Sequence, residues 1–451
     1  MKKLKRWLKW PVWVTFPLIF AMFAWHGVRS LDPDFGWHLK AGEHFVQNGV
    51  PKTDVFTYTA SDFPWVDHEW LSDILVYLIH EVGGYVLLAL VFAALWTLAL
   101  WLVGRRALGP VVAIAALAAL PYSGVRAITW SVLGLALVIK IFAAKNQRWR
   151  WIMPILIMLW ANVHGGFIVG LGYIAYQAIM KRSGPLVLIG LISLCATLVN
   201  VYGLEIYTEI WRTMADRSLH TSIVEWKSLV FSWSLLPFLV LYGVGWLYEK
   251  GKWYWRAVRI ENFFLLASIS AQRNWPLFAV AALERTSDSM RTIARTIPAK
   301  LKRAQRNVLL AIGIGFAGLT AYGVYDTGIL LIGSSDGESY PSAAVDYLRE
   351  HPCPGNLFND YNYGGYLIWQ LPQQKVYIDG RMPSWELNGE KYMENYSGFL
   401  DDESERDKQI DKYDIQCILV SNRFEPLIKD LSDSGKWRTV IEQDDYTLMK
   451  R

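Results

Sequence analysis

The chain has 451 residues, of which 53% are hydrophobic and 19% are charged. Soluble domains carry about 25% charged residues, so the composition argues against an ordinary soluble protein and favours a polytopic membrane protein with some soluble mass. The net charge of +5 is modest; we expect no nucleic-acid partner, and the three cysteines lack the spacing of metal ligands.

Apolar runs predict about eleven transmembrane helices, several of them shorter than the roughly 20 residues that a perpendicular span needs. The runs lie at 10–29, 72–103, 110–124, 127–144, 150–163, 166–181, 185–200, 229–248, 258–272, 275–284 and 307–332. The second run is too long for one span, and Ser72, Asp73, His80 and Glu81 interrupt its apolar face. We therefore expect an amphipathic helix at the outer interface, followed by a span that begins near Tyr85.

The basic residues predict the orientation of these spans. Five lysines and arginines within the first nine residues place the N-terminus in the cytoplasm. About eleven passes then put the basic loops "GRRALG", "AKNQRWR" and "YEKGKWYWRAVR" on the same side, while 30–70 and everything after about 333 lie outside. The sequence thus predicts a multi-pass protein of the cytoplasmic (inner or plasma) membrane with an extracytoplasmic C-terminal domain.

Two domains follow from this layout. Residues 1–335 form the transmembrane domain, whose first outer loop, 30–84, carries interfacial helices. Residues 336–451 alternate strand and helix patterns and predict a small α/β domain. The expected strands are "NLFND", "KVYIDG", "IQCILVS" and "WRTVIEQ", and the expected helices are "SAAVDYLREH" and "PLIKDLSDSG". Cys353 and Cys417 could pair in an oxidising compartment, although their spacing alone does not decide it.

The stretch "LDPDFGWHLKAGEHF", residues 31–45, begins the first outer loop. In one interpretation Asp32 caps a helix, Pro33 occupies its first position and Asp34 lies in its first turn. That interpretation explains Asp34 less well. Asp34 and His38 are four residues apart and would share a helix face, and a carboxylate beside an imidazole suits general-base chemistry.

A second polar cluster, "PWVDHEWLSD", closes the same loop. Asp67 can cap a helix that presents His68, Glu69 and Asp73. The alternative is an ordinary solvated helix start. Charged groups concentrated beside a membrane favour a functional site.

Isolated polar residues at three other outer turns complement the acidic loop. Arg126 lies in "PYSGVRAITW", Arg273 in "SISAQRNWPLF", and Asn162 and His164 in "WANVHGGF". Arginine holds phosphate oxygens with a fork of N–H donors, so a lipid-linked phosphate is a candidate ligand. Snorkelling of the arginines to lipid headgroups is the alternative.

The tail segment "FNDYNYGGYLIWQLPQQKVYIDGR" contains further polar residues. Asp379 and Arg381 either pair with each other to hold the domain together or, with the nearby aromatic rings, help to dock a sugar acceptor.

Several of these segments resemble the C-type (GT-C) polytopic membrane glycosyltransferases. The first outer loop is similar to that of a bacterial group with a DPDxWWHL…HEWL pattern, and "WANVHGGF", "IVEWKSL" and "NLFNDYNYGGYLIWQLPQQKVYIDGR" also resemble that group. Here Gly36 replaces the first of the paired tryptophans, and "ASDFPW" departs from the glycine-containing turn. Neither change affects the carboxylates.

The resemblance implies a glycosyltransferase that moves a sugar, with inversion, from a polyprenyl-phosphate-linked donor to a glycan, lipid or protein acceptor on the extracytoplasmic face. It implies that Asp34 is the general base and that Glu69 or His68 orients it or binds the acceptor. Asp32, His38, Arg126, His164 and Arg273 would bind substrate. No metal ligand is assigned, although carboxylate oxygens of Asp32, Asp34 and Glu69 leave open a divalent Mg²⁺, Mn²⁺ or Ca²⁺ ion.

Two other classes remain open. A transporter or flippase for lipid-linked glycans would use the same lipid, but such carriers bind substrate near the bilayer midplane and often show inverted repeats, which we do not find here. A non-catalytic glycan-assembly protein would keep the fold and bind through its outer domain.

Overall fold

The computed structural model describes residues 12–228, 235–296 and 340–451, together with Gly315, Gly318, Ala321 and Tyr322. The chain forms two compact units. The helical unit contains Met1–Ser30, Tyr85–Gly203 and His220–Ser334, and the mixed unit contains Leu31–Gly84, Leu204–Leu219 and Ser335–Arg451. The predicted span at 307–332, apart from the four residues just named, and the basic residues 1–11 lie outside the described residues.

The α-helices are numbered in chain order over the described residues. They are α1 Val12–Arg29, α2 Phe35–Asn48, α3 Trp70–Gly104, α4 Gly109–Ala119, α5 Ile128–Ala143, α6 Met153–Val163, α7 Phe167–Lys181, α8 Gly184–Ala196, α9 Glu205–Ala215, α10 Leu219–Ser222, α11 Leu236–Tyr248, α12 Trp253–Ala257, α13 Ile260–Ser270, α14 Trp275–Thr296, α15 Ser342–Glu350, α16 Gly364–Gln370, α17 Tyr392–Asp401, α18 Glu403–Tyr413 and α19 Glu425–Asp433.

Helix α3 is interrupted where the sequence predicts the start of a span. Gly83 and Gly84 have non-helical backbone angles, and Gly84 has a φ of 64°, a conformation that glycine adopts without steric cost. Over the described residues, α3 is the one helix that is long and apolar enough to cross a membrane, and seven other apolar helices have 10–17 residues. The number of spans therefore stays a prediction.

Helix α14 extends well beyond the apolar run 275–284. The sequence predicts a basic loop after that run, but the helix continues to Thr296. The second half of α14 is packed against other residues of the helical unit. The hydroxyl of buried Ser287 accepts a hydrogen bond from the Leu108 N–H at 2.7 Å. Arg285 also pairs with buried Glu261 on α13, at 2.7 Å. These contacts hold polar residues in helical conformation.

The mixed unit is built around a four-stranded sheet. Its strands are β1 Asn356–Asn359, β4 Ile415–Ser421, β5 Arg438–Glu442 and β6 Tyr446–Lys450. The order is β1-β4-β6-β5, with β1 parallel to β4 and the other pairs antiparallel. The short strands β2 Glu386–Leu387 and β3 Glu390–Lys391 form a separate hairpin. Three of the four predicted strands are present, whereas "KVYIDG" is not part of this sheet.

The core of the mixed unit joins the first outer loop to the tail. Trp37, Phe63 and Trp65 from the loop are buried in one cluster with Leu357 and Ile418 from the sheet. A disulfide between Cys353 and Cys417, with Cα atoms 6.0 Å apart, fastens the segment before β1 to β4. Helix α2 lies against α16 so closely that a side chain on Gly36 would meet the carbonyl oxygen of Gly365.

Candidate functional site

The start of helix α2 places two of the candidate residues. The Asp32 carboxylate accepts a hydrogen bond from the Asp34 N–H at 2.9 Å. The helix itself begins at Phe35, two residues after Pro33, where one interpretation of the sequence places its first position. Asp34 is the residue before the first helical residue, and its carboxylate makes no capping hydrogen bond. Both aspartates are half-buried.

His38 lies one turn into α2 and faces two other carboxylates. Its Nδ1 lies 2.6 Å from Asp73 Oδ1, and its Nε2 lies 3.6 Å from Glu69 Oε2. The imidazole is stacked on Trp37 with ring centroids 3.6 Å apart. The sequence predicts that His38 pairs with Asp34, but in the structure the two ring nitrogens of His38 face Glu69 and Asp73 of the second polar cluster. That cluster therefore includes His38, Asp73 and Glu69.

Asp67 begins the helical turn that presents this second cluster. Its Oδ1 accepts a hydrogen bond from the Glu69 N–H at 2.9 Å, as a helix cap does. The next residue, His68, places Nε2 at 3.3 Å from Glu69 Oε1. Glu69 thus lies between two imidazoles, and it is 8% exposed.

Burial changes the proton affinity of these groups. Burial, together with the negative charges of Asp73 and Glu69, raises the pKa of Asp67 well above its usual range. Burial would lower the pKa of His68, but its hydrogen bond to Glu69 and the charges of Glu69, Glu209 and Asp67 outweigh it and raise that pKa. The cluster therefore favours protonated forms of both residues.

Two carboxylate oxygens of the cluster lack donors. Asp67 Oδ2 and Asp73 Oδ2 are buried, and neither accepts a hydrogen bond from a donor among the described residues. The two side chains are neighbours, so a proton on one carboxyl group would give the other a donor. A site of this kind can hold and transfer protons.

A divalent metal does not fit the described residues. Among them, no group of three or more histidine, cysteine, aspartate or glutamate side chains is arranged to hold a metal ion. We therefore derive no step through a metal.

Helix α9 of the mixed unit adds a residue that the sequence interpretation missed. Glu209 is buried, forms an ion pair with Arg212, and interacts electrostatically with His68. Burial raises the pKa of Glu209 in spite of the Arg212 charge. The sequence contains no local signal for this placement, because Glu209 lies about 140 residues after His68.

In the helical unit, Arg126 and Arg273 contact the same short segment, the 3-10 helix Val224–Trp226. Arg126 pairs with Glu225 at 2.5 Å between nitrogen and oxygen. The Arg273 guanidinium lies over the Trp226 ring, 4.8 Å from its centroid. Two arginines that are 147 positions apart in the sequence thus meet at one segment, which belongs to the "IVEWKSL" motif of the resemblance.

His164 lies in the turn between α6 and α7. It is 6% exposed, and its Nδ1 lies 2.6 Å from the Ser131 hydroxyl and accepts a hydrogen bond from the Gly166 N–H at 2.9 Å. The Trp160 N–H also donates to Ser131. This imidazole is thus held in a packed turn.

In the tail, Asp379 and Arg381 are internal. Arg381 donates two hydrogen bonds to Asp379, at 2.8 and 2.6 Å, and its third nitrogen lies 2.7 Å from Asp54 Oδ1. The Arg381 side chain is 3% exposed and both carboxylates are fully covered. This arrangement is the internal pairing predicted from the sequence, and it leaves neither side chain free to dock an acceptor.

Comparison with solved structures identifies the fold. Oligosaccharyltransferase AglB from Archaeoglobus fulgidus, solved with an inhibitory peptide and a dolichol-phosphate, matches with a TM-score of 0.59 and 13% identity, over 92% of this chain and 70% of that chain. Arabinofuranosyltransferase AftD from mycobacteria matches with a TM-score of 0.53 and 12% identity, over 99% of this chain and 40% of that chain. Both are GT-C-type membrane glycosyltransferases. This chain has their fold.

The match shows the fold that the resemblance implies, and it extends over nearly the whole chain, although the chain spans less than half the length of AftD. No protein-family model and no curated protein matches the sequence. The candidate residues themselves fall into two groups. Asp32, Asp34, His38, His68 and Glu69 lie in the mixed unit, and Arg126, His164 and Arg273 lie in the helical unit.

Proposed function

We propose that this protein is a membrane glycosyltransferase that moves a sugar, with inversion, from a polyprenyl-phosphate-linked donor to an acceptor hydroxyl on the extracytoplasmic face. The observation that carries the proposal is the fold shared with two glycosyltransferases over 92% and 99% of the chain. The dolichol-phosphate in the AglB complex supports a lipid phosphate as the carrier. The acceptor, whether glycan, lipid or protein, is not specified by the site.

The proposed reaction uses a carboxylate and two arginines. The acceptor oxygen attacks the anomeric carbon, and Asp34 takes the proton that this oxygen loses. The bond between the anomeric carbon and the phosphate oxygen breaks, and the lipid phosphate leaves with the electron pair. Arg126 and Arg273 stabilise the leaving phosphate. Asp34 is preferred as the base because it is half-buried, whereas Asp67 and Asp73 are buried.

The other residues of the mixed unit orient the base and the substrates in this proposal. Asp32 fixes the turn that carries Asp34, because its carboxylate accepts a hydrogen bond from the Asp34 N–H at 2.9 Å. Glu69 and His68 bind the acceptor or orient the base, and His38, held by Asp73, supports Glu69. His164 would contact substrate from the turn between α6 and α7.

The proposed location is the cytoplasmic (inner or plasma) membrane, crossed by about eleven helices, with the N-terminus in the cytoplasm and the tail outside. The disulfide Cys353–Cys417 supports an extracytoplasmic tail, because disulfides persist in oxidising compartments. Lys140 and Lys181 lie in the last turns of α5 and α7, which suits a cytoplasmic end for both helices.

The test is sugar transfer by the purified full chain in proteoliposomes supplied with labelled polyprenyl-phosphate hexoses and pentoses and with candidate acceptors. Asp34→Asn keeps the shape of the side chain but cannot accept the proton. We expect it to lower the transfer rate by about 10²- to 10⁴-fold. The matched control is Asp62→Asn, an exposed aspartate of the same loop, which should transfer at the wild-type rate.

Transfer by Asp34→Asn at the wild-type rate would reject Asp34 as the base. Donor that crosses the bilayer without being consumed would favour a flippase. Retention of the disulfide and of the melting temperature shows that the variant is folded.

A further inference from the structure

The tail segment 376–381 is attached to the first outer loop along its length. The Val376 N–H donates to the Phe56 carbonyl at 3.1 Å, and the Tyr58 N–H donates to the Val376 carbonyl at 3.2 Å. The Thr59 hydroxyl donates to the Tyr377 carbonyl at 2.6 Å. The segment "KVYIDG", which the sequence predicts as a strand, is thus bonded through its backbone to the first outer loop.

The other side of the segment is held by β1. The buried Asn359 side chain accepts a hydrogen bond from the Tyr377 N–H at 2.8 Å and donates to the Ile378 carbonyl at 2.9 Å. An amide that is bonded to two successive residues fixes both the position and the direction of the backbone. The segment therefore cannot shift without breaking buried hydrogen bonds.

Arg381 anchors the end of the segment. Its guanidinium bonds Asp379 and Asp54, and it lies within 6 Å of four aromatic ring centroids, those of Trp37, Phe56, Trp65 and Trp385. A charged group with this many fixed partners holds its own backbone in place. Gly380 is thus held between two anchored residues.

Gly380 contacts the proposed base. A Cβ atom at this position would lie 1.7 Å from Asp34 Oδ1 and 3.1 Å from Asp34 Oδ2, so any residue larger than glycine would displace the carboxylate from this position. The residue before Asp34 is packed in the same way, since a Cβ on Gly365 would lie 2.3 Å from the Pro33 carbonyl oxygen. The tail backbone therefore borders both Asp34 and the turn that carries it.

We propose that Gly380 is a positioning residue for the Asp34 carboxylate and that segment 376–381 gives the tail a role in catalysis. The inference rests on the proposed function, because it assigns Asp34 as the base. The anchored backbone lies against one side of the carboxylate, limits its rotation and so sets the direction in which its oxygens face the acceptor hydroxyl. Displacing a catalytic group by about 1 Å can cost 10²-fold in rate.

The first experiment compares Gly380→Ala with Gly398→Ala in the full chain, in the proteoliposome assay with polyprenyl-phosphate sugars. A Cβ on Gly398 would make only an ordinary contact, 3.7 Å from Glu405 Cβ. We expect Gly380→Ala to lower kcat by about 10²-fold, to leave the KM for the donor nearly unchanged and to shift the pH profile of kcat. Gly398→Ala should behave as wild type.

The second experiment measures the contact without activity and covers the case in which Gly380→Ala folds poorly. Gly380→Ala should lower the melting temperature in the wild-type background but not in the Asp34→Ala background, where the clashing carboxylate is absent. Additive effects of the two substitutions on melting temperature would overturn the proposed contact.

The outcomes separate this inference from the proposed function. If Asp34→Asn abolishes transfer and Gly380→Ala keeps the wild-type kcat and pH profile, the inference is wrong and the proposed function stands. If Asp34→Asn transfers normally, the proposed base is wrong, and the assignment of Gly380 is rejected with it.

Discussion

Two groups of buried carboxylates in the mixed unit differ in how their oxygens are satisfied. In the anchored group, Asp379 and Asp54 face Arg381, and Asp54 Oδ2 also accepts hydrogen bonds from the N–H and hydroxyl of Thr57 at 2.8 and 2.6 Å. In the donor-poor group, Asp67 and Asp73 each leave one buried oxygen without a donor among the described residues.

The anchored carboxylates are suited to holding the structure together, and the donor-poor carboxylates are suited to proton transfer. Buried carboxylates that receive strong donors fix the positions of the segments that carry them. Buried carboxylates that lack donors favour the protonated form, and they can take part in proton transfer. Both groups belong to the mixed unit, and the number of hydrogen-bond donors around the carboxylates distinguishes them.

The largest expected effect is on the anchored group. Arg381→Met keeps much of the side-chain length but leaves Asp54 and Asp379 buried without their cation. We expect it to lower the free energy of unfolding by about 3–5 kcal/mol, measured by denaturant titration of the purified chain in detergent. The matched control is Lys412→Met, which removes an exposed ion pair with Glu390 and should cost no more than about 1 kcal/mol.

Equal losses for the two variants would remove the distinction between an anchored group and an ordinary ion pair. In that case, the buried arginine would not be the element that fixes segment 376–381.

For the donor-poor group we expect a smaller change in the free energy of unfolding, and this change depends on pH. Because the folded pKa of Asp67 is raised above 3.8, the folded protein binds more protons at this site than the unfolded chain. The contribution of Asp67 to stability is therefore complete below about pH 3.8 and is lost as pH rises through the raised pKa. Asp67→Asn imitates the protonated form, and its carbonyl oxygen can still accept the Glu69 N–H.

We expect Asp67→Asn to raise stability by about 1–2 kcal/mol at pH 8, in the range of one buried hydrogen bond, and to raise it less at pH 5, where less of the Asp67 contribution has been lost. The measurement is the melting temperature of both proteins across this range. Parallel curves for wild type and variant would show that Asp67 does not take up a proton on folding, which would make the two carboxylate groups alike.

Local features of this site could be predicted from the sequence, because they depend on neighbouring residues. Asp67 caps a helical turn, "IQCILVS" is a strand, and the α3 helix breaks just before Tyr85. The internal pairing of Asp379 with Arg381, two residues apart, could also be predicted as one of two alternatives. Each of these features is set by residues close together in the chain, where propensity and capping rules apply.

The long-range contacts could not be predicted in this way. His38 bonds Asp73 and not Asp34, because Asp73 approaches from a segment 35 positions away. The "KVYIDG" segment has a strand pattern, but its partner is the first outer loop, with 318 positions between Thr59 and Tyr377. Gly380 gives no sign in the sequence that it borders Asp34. Hydrophobic periodicity identifies an element but not the partner that it pairs with.

The most direct test of the proposed chemistry is the position of the lipid phosphate in an experimentally determined structure of the full chain with polyprenyl phosphate. Helix α5 is about 24 Å long at 1.5 Å per residue, with Arg126 just before its start and Lys140 in its last turn. We predict phosphate density against Arg126 or Arg273. Density beside Lys140 and Lys181, at the other ends of α5 and α7, would contradict donor binding at the outer face.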